Sequence, residues 1–76
     1  MDYRKYIKSD PNVMRGKSII ADTRITVELI LRKLSEGATI ADLLQMYPHL
    51  EEIQILAALA YASDVMANEE MISYSA

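Results

Sequence analysis

Apolar residues recur at helical spacing from residue 27 onward, and the pattern is interrupted at two residues that end helices. The first stripe has i, i+3, i+4 and i+7 spacing and consists of Val27, Ile30, Leu31 and Leu34. The second has the same spacing and consists of Ile40, Leu43, Leu44 and Tyr47. Gly37 ends the first helix because glycine readily adopts the left-handed conformation, and Pro48 disfavours helix at the residue before it. The sequence therefore predicts two short amphipathic helices.

The starts of the helices are marked as well. Thr26 is a plausible N-cap for the first helix, and Thr39 with Asp42 forms a variant of the capping box for the second. A third helix is predicted from near Glu51 to about Asn68. Three helices of about ten, eight and seventeen residues, with a short turn between the second and third, are typical of a helix-turn-helix.

The residues before the helices favour a small β element. Ser18-Ile19-Ile20-Ala21 and Arg24-Ile25 flank the link Asp22-Thr23, which predicts a hairpin or bulged turn. Asp22 is one of the few residues that tolerate a positive φ. We expect residues 1–17 to be a basic extended arm with at most one short strand around Tyr6-Ile7-Lys8. Residues 18–68 form the hairpin and the three-helix core, and residues 69–76 are a short tail.

The small size and uneven charge of the chain indicate that it associates with itself or with a partner. It has 76 residues and no cysteine, and a core of that size rarely supplies more than about 3–5 kcal/mol unaided. Residues 1–33 hold all 8 Lys and Arg with 4 acids, a net charge of +4, whereas residues 34–76 hold 7 acids and no Lys or Arg, a net charge of −7. Such asymmetry between halves suggests an interaction surface or a charged self-assembly.

The third helix has more apolar surface than a monomer of this size needs. Its polar residues Gln54, Asp64 and Asn68 share one narrow sector with Ala57 and Tyr61, and the remaining arc of roughly 220° exceeds the usual apolar stripe. Either the N-terminal arm or a second chain must cover the surplus. We expect a homodimer. The candidate dimer or protein-binding residues are Ile55, Leu59, Tyr61, Ala62, Met66 and Tyr74.

The charge distribution separates two routes to DNA. Glu51 and Glu52 stand where a helix-turn-helix approaches DNA and would be repelled by phosphates, so only Gln54 remains to read a base. The N-terminal part offers backbone binding instead. The candidate nucleic-acid-binding residues are Arg4, Lys5, Lys8, Arg15, Lys17 and Arg24. The alternatives are a solvated arm, one that pairs with a partner's acidic half, and, for Arg24, a structural ion pair at the turn.

Enzyme chemistry is not indicated. The chain has no cysteine nucleophile, no Ser-His-Asp spacing, and only Gly16 and Gly37 for a phosphate loop. His49 is the only histidine, so no metal site and no cofactor are expected. The weakly polar stretch of residues 53–63 is too short to span a bilayer. With no basic and apolar leader at the start, we expect a cytoplasmic protein.

Several motifs resemble a known bacterial family, the domain-of-unknown-function family four-three-three, whose members are antitoxin-like helix-turn-helix proteins. The resemblance runs from about Tyr6 to Ala62. The motifs are Pro11-Asn12-Val13-Met14-Arg15-Gly16-Lys17, Thr23-Arg24-Ile25-Thr26-Val27, Leu34 and Gly37, Tyr47-Pro48-His49-Leu50, and Ala57-Ala58-Leu59-Ala60-Tyr61-Ala62. The family pattern usually has glycine where this chain has Asp22, often proline at Ser18, and commonly a threonine cap at Glu51. The family pattern also has an acidic pair at the positions of Ile53 and Gln54, whereas the acids of this chain are Glu51 and Glu52.

The resemblance implies an all-α, three-helix, homeodomain-like helix-turn-helix core with a short N-terminal strand or hairpin, usually self-associating. It also implies an antitoxin role, because members are often encoded beside a toxin with a PIN-type nuclease fold. The leading hypothesis is a non-catalytic, homodimeric antitoxin-like module that neutralises such a toxin. The alternative is a DNA-binding transcriptional regulator that uses the basic arm.

Overall fold

The structure, a computed structural model, describes residues 1–69. Two short strands precede three helices, and 3-10 turns at Tyr3–Lys5 and Met14–Gly16 come before each strand. The strands are β1 (Ile7–Ser9) and β2 (Ser18–Ile20), and the helices are α1 (Val27–Ser35), α2 (Ile40–Met46) and α3 (Glu52–Ala67). The strands form an antiparallel hairpin in which Ile7 pairs with Ile20 and Ser9 with Ser18.

The helix boundaries confirm the sequence predictions. The Thr26 side chain accepts a hydrogen bond from the Leu29 amide at 3.0 Å, and Thr39 and Asp42 form a reciprocal capping box with bonds of 3.0 and 2.8 Å. Gly37 has φ +102°, and the amides of Gly37 and Ala38 donate to the Leu34 and Lys33 carbonyls at 3.0 Å each. This pattern is a Schellman motif, which satisfies carbonyls at the end of α1.

The N-terminal segment contains the short strand expected around Ile7 but is more structured than the extended arm expected for residues 1–17. Residues 3–5, 7–9 and 14–16 form regular elements, and β1 is the main partner of β2. The physical reason is long-range packing, since Ile7 is buried in the core opposite Ile20. Residues before position 18 therefore contribute to the core.

The predicted turn at Asp22-Thr23 is present, although it joins β2 to an isolated bridge and does not form the main hairpin. Asp22 has φ +65°, as its tolerance of this region suggested. The Ile20 amide donates to the Ile25 carbonyl at 2.9 Å, and Ile19 forms an antiparallel bridge with Thr26. The chain thus reverses twice and enters α1 directly from the hairpin.

The core lies where the hairpin and all three helices meet. Its largest fully buried side chains come from one element each, namely Ile20, Ile30, Leu43 and Ile55. On α3, Ala57 and Ala58 are also fully buried. Helix α3 contacts α1, α2, β1 and the first 3-10 turn. It is therefore the central helix, and small side chains allow close approach to it.

The N-cap of α1 gives a first test of local stability. Thr26→Ala is expected to lower the free energy of unfolding by about 1 kcal/mol, because the Leu29 amide loses its acceptor while Thr26 is buried. Thr26→Ser keeps the oxygen and should recover most of that loss. Urea denaturation of the three proteins measures the difference. Equal losses in both variants would contradict a capping role.

No helix within residues 1–69 is long and apolar enough to cross a membrane.

Candidate functional site

An open apolar groove of about 640 Å³ lies between α1 and the C-terminal half of α3. Val27 and Leu31 of α1 form one wall, and Ala62, Val65 and Met66 of α3 form the other. Val65 and Met66 remain 48% and 63% exposed. Exposed side chains of this size on adjacent elements are typical of a binding surface.

The rim of the groove carries a shared ion pair. The Glu28 carboxylate accepts hydrogen bonds from Lys17 Nζ at 2.6 Å and from Arg32 at 2.7 Å. Lys17 holds the pKa of Glu28 below its ordinary value, and Arg32 adds to this effect. Two cations share one carboxylate, so this wall of the groove has a local positive charge.

This ion pair predicts a stability effect at low pH. Because the pKa of Glu28 is lower in the folded chain than its ordinary 4.5, its contribution is present above that value and is lost as the pH falls through the folded pKa. We therefore expect the melting temperature of the native protein to fall more steeply in acid than that of Glu28→Gln. Thermal melts from pH 7 to pH 3 measure this. Glu36→Gln is the matched control, and parallel curves for native protein and Glu28→Gln would contradict the prediction.

A second cluster fastens the N-terminal segment to α3. The Tyr3 hydroxyl donates to the Asp64 carboxylate at 2.6 Å, and the rings of Tyr3 and Tyr61 pack edge to face with centroids 5.6 Å apart. Ser18 donates to the Tyr61 hydroxyl at 2.7 Å. The bond to Asp64 raises the pKa of Tyr3, because ionisation would remove the donated proton beside a carboxylate.

The sequence pattern did not predict this contact between α3 and the N-terminal segment. The side of α3 that holds Ala57 and Tyr61 faces the hairpin and the first 3-10 turn. Ala57 is fully buried and Tyr61 is half-buried, whereas Asp64 remains exposed. The tyrosines at positions 3 and 61 were the available signal, since a buried or half-buried tyrosine usually finds a hydrogen-bond partner.

The first turns of α3 form a separate surface with acidic and apolar side chains. Glu51 and Glu52 are exposed, and Ile53 and Leu56 are each 38% exposed. Residues three or four apart are neighbours on a helix, so Glu52, Ile53 and Leu56 are adjacent. Helix α3 contains no Lys or Arg from Glu52 to Ala67. We call Glu51, Glu52, Ile53 and Leu56 the acidic patch.

The candidate nucleic-acid residues lie on several different elements. Arg4 is paired with Asp2 at 2.9 Å, and Lys17 with Glu28. The other four are exposed and make no ion pair within residues 1–69, namely Lys5, Lys8, Arg15 and Arg24. The ion pair considered for Arg24 is thus not among the contacts of the described chain.

The candidate protein-binding residues also lie in different environments. Ile55 is fully buried in the core of its own chain, so the prediction that it lies in an interface is wrong. It belongs to the core cluster together with Ile30 of α1 and Leu43 of α2. Tyr61, Ala62 and Met66 line the groove. Leu59 is half-buried elsewhere on the helix, and Tyr74 lies outside the described residues.

Within residues 1–69, no group of three or more His, Cys, Asp or Glu side chains is placed to hold a metal ion. His49 is exposed in the turn between α2 and α3.

These features define the protein as a three-helix domain with an N-terminal hairpin. It has two exposed candidate binding surfaces, the groove and the acidic patch. The chain matches the family described as "Protein of unknown function (DUF433)" over residues 7–62. The protein belongs to this family, which confirms the resemblance in its motifs.

A solved structure has the same fold. It is the crystal structure of a DUF433 member protein from Anabaena variabilis ATCC 29413, with a TM-score of 0.78 and 31% sequence identity. The aligned part covers 82% of this chain and 61% of that one, so this chain spans less than two thirds of its length. The comparison with curated proteins found no match to this chain.

Proposed function

We propose that the protein is a non-catalytic binding module of the antitoxin type, which acts as a homodimer and neutralises a toxin with a PIN-like nuclease fold. The observation that carries the proposal is the acidic patch at the start of α3. A nuclease must attract a polyanion, so its substrate-binding surface is positively charged. Exposed carboxylates around Ile53 and Leu56 complement such a surface, and the apolar side chains supply contact area.

The arrangement of α2 and α3 supports a homeodomain-like helix-turn-helix, with residues 47–51 as the turn. In such a fold α3 corresponds to the helix that enters the major groove. Here its exposed start carries Glu51 and Glu52, and its N-terminal backbone is capped by a bond from the Glu51 amide to Gln54 at 2.7 Å. Like charge opposes phosphate at this end, so the chemistry of α3 favours a protein partner.

The proposed function predicts a charge-sensitive complex. We expect Glu52→Lys to abolish neutralisation of a PIN-type toxin encoded by a neighbouring gene and to weaken binding about tenfold or more, since like charges then meet across the interface. Glu36→Lys introduces the same charge change at the exposed end of α1 and should leave binding intact. Co-purification, calorimetry and growth after toxin induction provide the readouts, with melting temperature to check folding.

Two results would overturn the antitoxin proposal. One is that the native protein neither binds that gene product nor relieves its toxicity. The other is that Glu36→Lys and Glu52→Lys weaken binding equally, because the acidic patch would then have no special role.

The alternative is a DNA-binding regulator, and it is supported by the four exposed cations Lys5, Lys8, Arg15 and Arg24. Backbone binding of this kind weakens steeply with salt. Titration of duplex DNA at 50 and 200 mM salt tests it. A shift at 50 mM that Lys8→Glu and Arg24→Glu remove would support the regulator, and no shift at either concentration would exclude it.

A further inference from the structure

We infer that the groove between α1 and α3 binds the C-terminal half of α3 from a second copy of this chain, in a two-fold symmetric dimer. The inference rests on the dimerisation in the proposed function and specifies where and how the copies meet. It assigns the groove to self-association and the acidic patch to the toxin.

The C-terminal half of α3 lacks cover from its own chain. The buried residues of this helix, Ile55, Ala57 and Ala58, all lie in its first half. Beyond Tyr61, contact with the N-terminal segment is made through Asp64 on one side, while Val65 and Met66 face the groove. Packing of an apolar face stabilises most protein helices, so a partner surface is expected along these last turns.

The groove and the uncovered half of α3 belong to one continuous surface. Val65 and Met66 form a wall of the groove and also project from the end of the helix. A two-fold interface uses the same patch on both subunits, so that residue i contacts residue j and j contacts i. Met66 of each copy can thus pack against Leu31 of the other, and this contact, formed twice, closes both grooves.

Charge favours this pairing. Glu69 lies three residues beyond the groove-lining Met66, and positions 62–69 contain no Lys or Arg, whereas the Asp64 carboxylate is bonded to Tyr3 on another side of the helix. The opposite wall carries Lys17 and Arg32, which share only Glu28. The acidic end of one α3 beside the basic wall of the other chain is favourable, and symmetry gives this contact twice. This pairing also agrees with the net charge of +4 in residues 1–33 and −7 in residues 34–76.

Sedimentation equilibrium of the native chain and two methionine variants tests the inference. We expect the native mass to be twice 8.6 kDa. Met66→Asp should raise the dimer dissociation constant about 30-fold or more, as loss of a central apolar contact does. Met46→Asp is the matched control, since Met46 is exposed on α2 away from the groove. Circular dichroism checks that both variants remain helical.

Cross-linking locates the contact even if Met66→Asp fails to fold. The native chain has no cysteine, so a short bismaleimide joins only introduced thiols. An equal mixture of Leu31→Cys and Met66→Cys chains should give a cross-linked pair, whereas Leu31→Cys mixed with Met46→Cys should not.

A monomeric native mass would overturn the inference, whether residues 70–76 or another protein covers the groove. Equal cross-linking in both mixtures, or a dimer that Met46→Asp disrupts and a folded Met66→Asp does not, would also overturn it. These failures are distinct from failure of the proposed function. If the protein is monomeric and still neutralises the toxin, only the proposed dimer is disproved. If it forms the dimer through the groove but does not bind the toxin, only the antitoxin role is disproved.

Discussion

Ile30→Ala is expected to lower the free energy of unfolding by about 2–5 kcal/mol, the range for deletion of a large aliphatic side chain from a packed core. Ile30 has 0% exposure and lies on α1, where the hairpin and the other helices meet. A core of this size supplies only about 3–5 kcal/mol unaided. The variant should therefore be largely unfolded at low concentration, where self-association adds little.

Leu56→Ala is the matched control, because it removes a similar aliphatic group from a side chain that is 38% exposed on α3. Its loss should be well below that of Ile30→Ala. Far-ultraviolet circular dichroism during urea titration at low protein concentration measures both. If the two variants lose equal stability, Ile30 is not at the centre of the core.

The helices could be predicted because their signals are local. Thr26, Thr39 with Asp42, Gly37 and Pro48 each act within a few residues, and the structure places helix ends at all of these positions. Turn chemistry was local as well, since Asp22 adopts the positive φ that its side chain tolerates.

The N-terminal segment could not be predicted in the same way, because its partners are distant in sequence. Tyr3 bonds to Asp64, 61 residues away, and Ser18 to Tyr61, 43 residues away. Composition alone made residues 1–17 look like a charged arm. Ile7 is nevertheless buried in the core, and Tyr3 and Tyr6 pack against it.

The same contacts explain the errors in the candidate site. The sequence pattern shows how far apolar residues extend around a helix. It does not show which of them pack against the rest of their own chain. Tyr3 bonds to Asp64 and packs on Tyr61, which places Ala57 on the side of α3 that meets the N-terminal segment. Ile55, on another side of the helix, is buried in the core cluster. Met66 remains exposed in the groove. The surplus of apolar surface on α3 was therefore predicted correctly, whereas its position was predicted only in part.

This orientation makes Ala57 a critical position. Ala57→Leu is expected to lower the free energy of unfolding by about 1–3 kcal/mol, because extra methylene groups in a well-packed core force neighbouring side chains and backbone to shift. Ala57 has 0% exposure on a helix that contacts the hairpin and the first 3-10 turn. The N-terminal segment should be displaced first, so the Tyr3 to Asp64 bond should weaken together with the global stability.

Ala67→Leu is the matched control, since it makes the same change at an exposed position at the end of the same helix. Helix propensity is nearly the same for both substitutions, so a difference between them reports packing. Urea denaturation gives the stability, and amide hydrogen exchange at Ile20 and Ala21 reports the hairpin, whose amides bond to Ile25 and Tyr6. An Ala57→Leu protein as stable as Ala67→Leu, with unchanged exchange, would mean that the side of α3 with Ala57 is not packed against the N-terminal segment. The docking of residues 3–9 on α3 would then be wrong, because a closely packed alanine at position 57 cannot be enlarged without moving that segment.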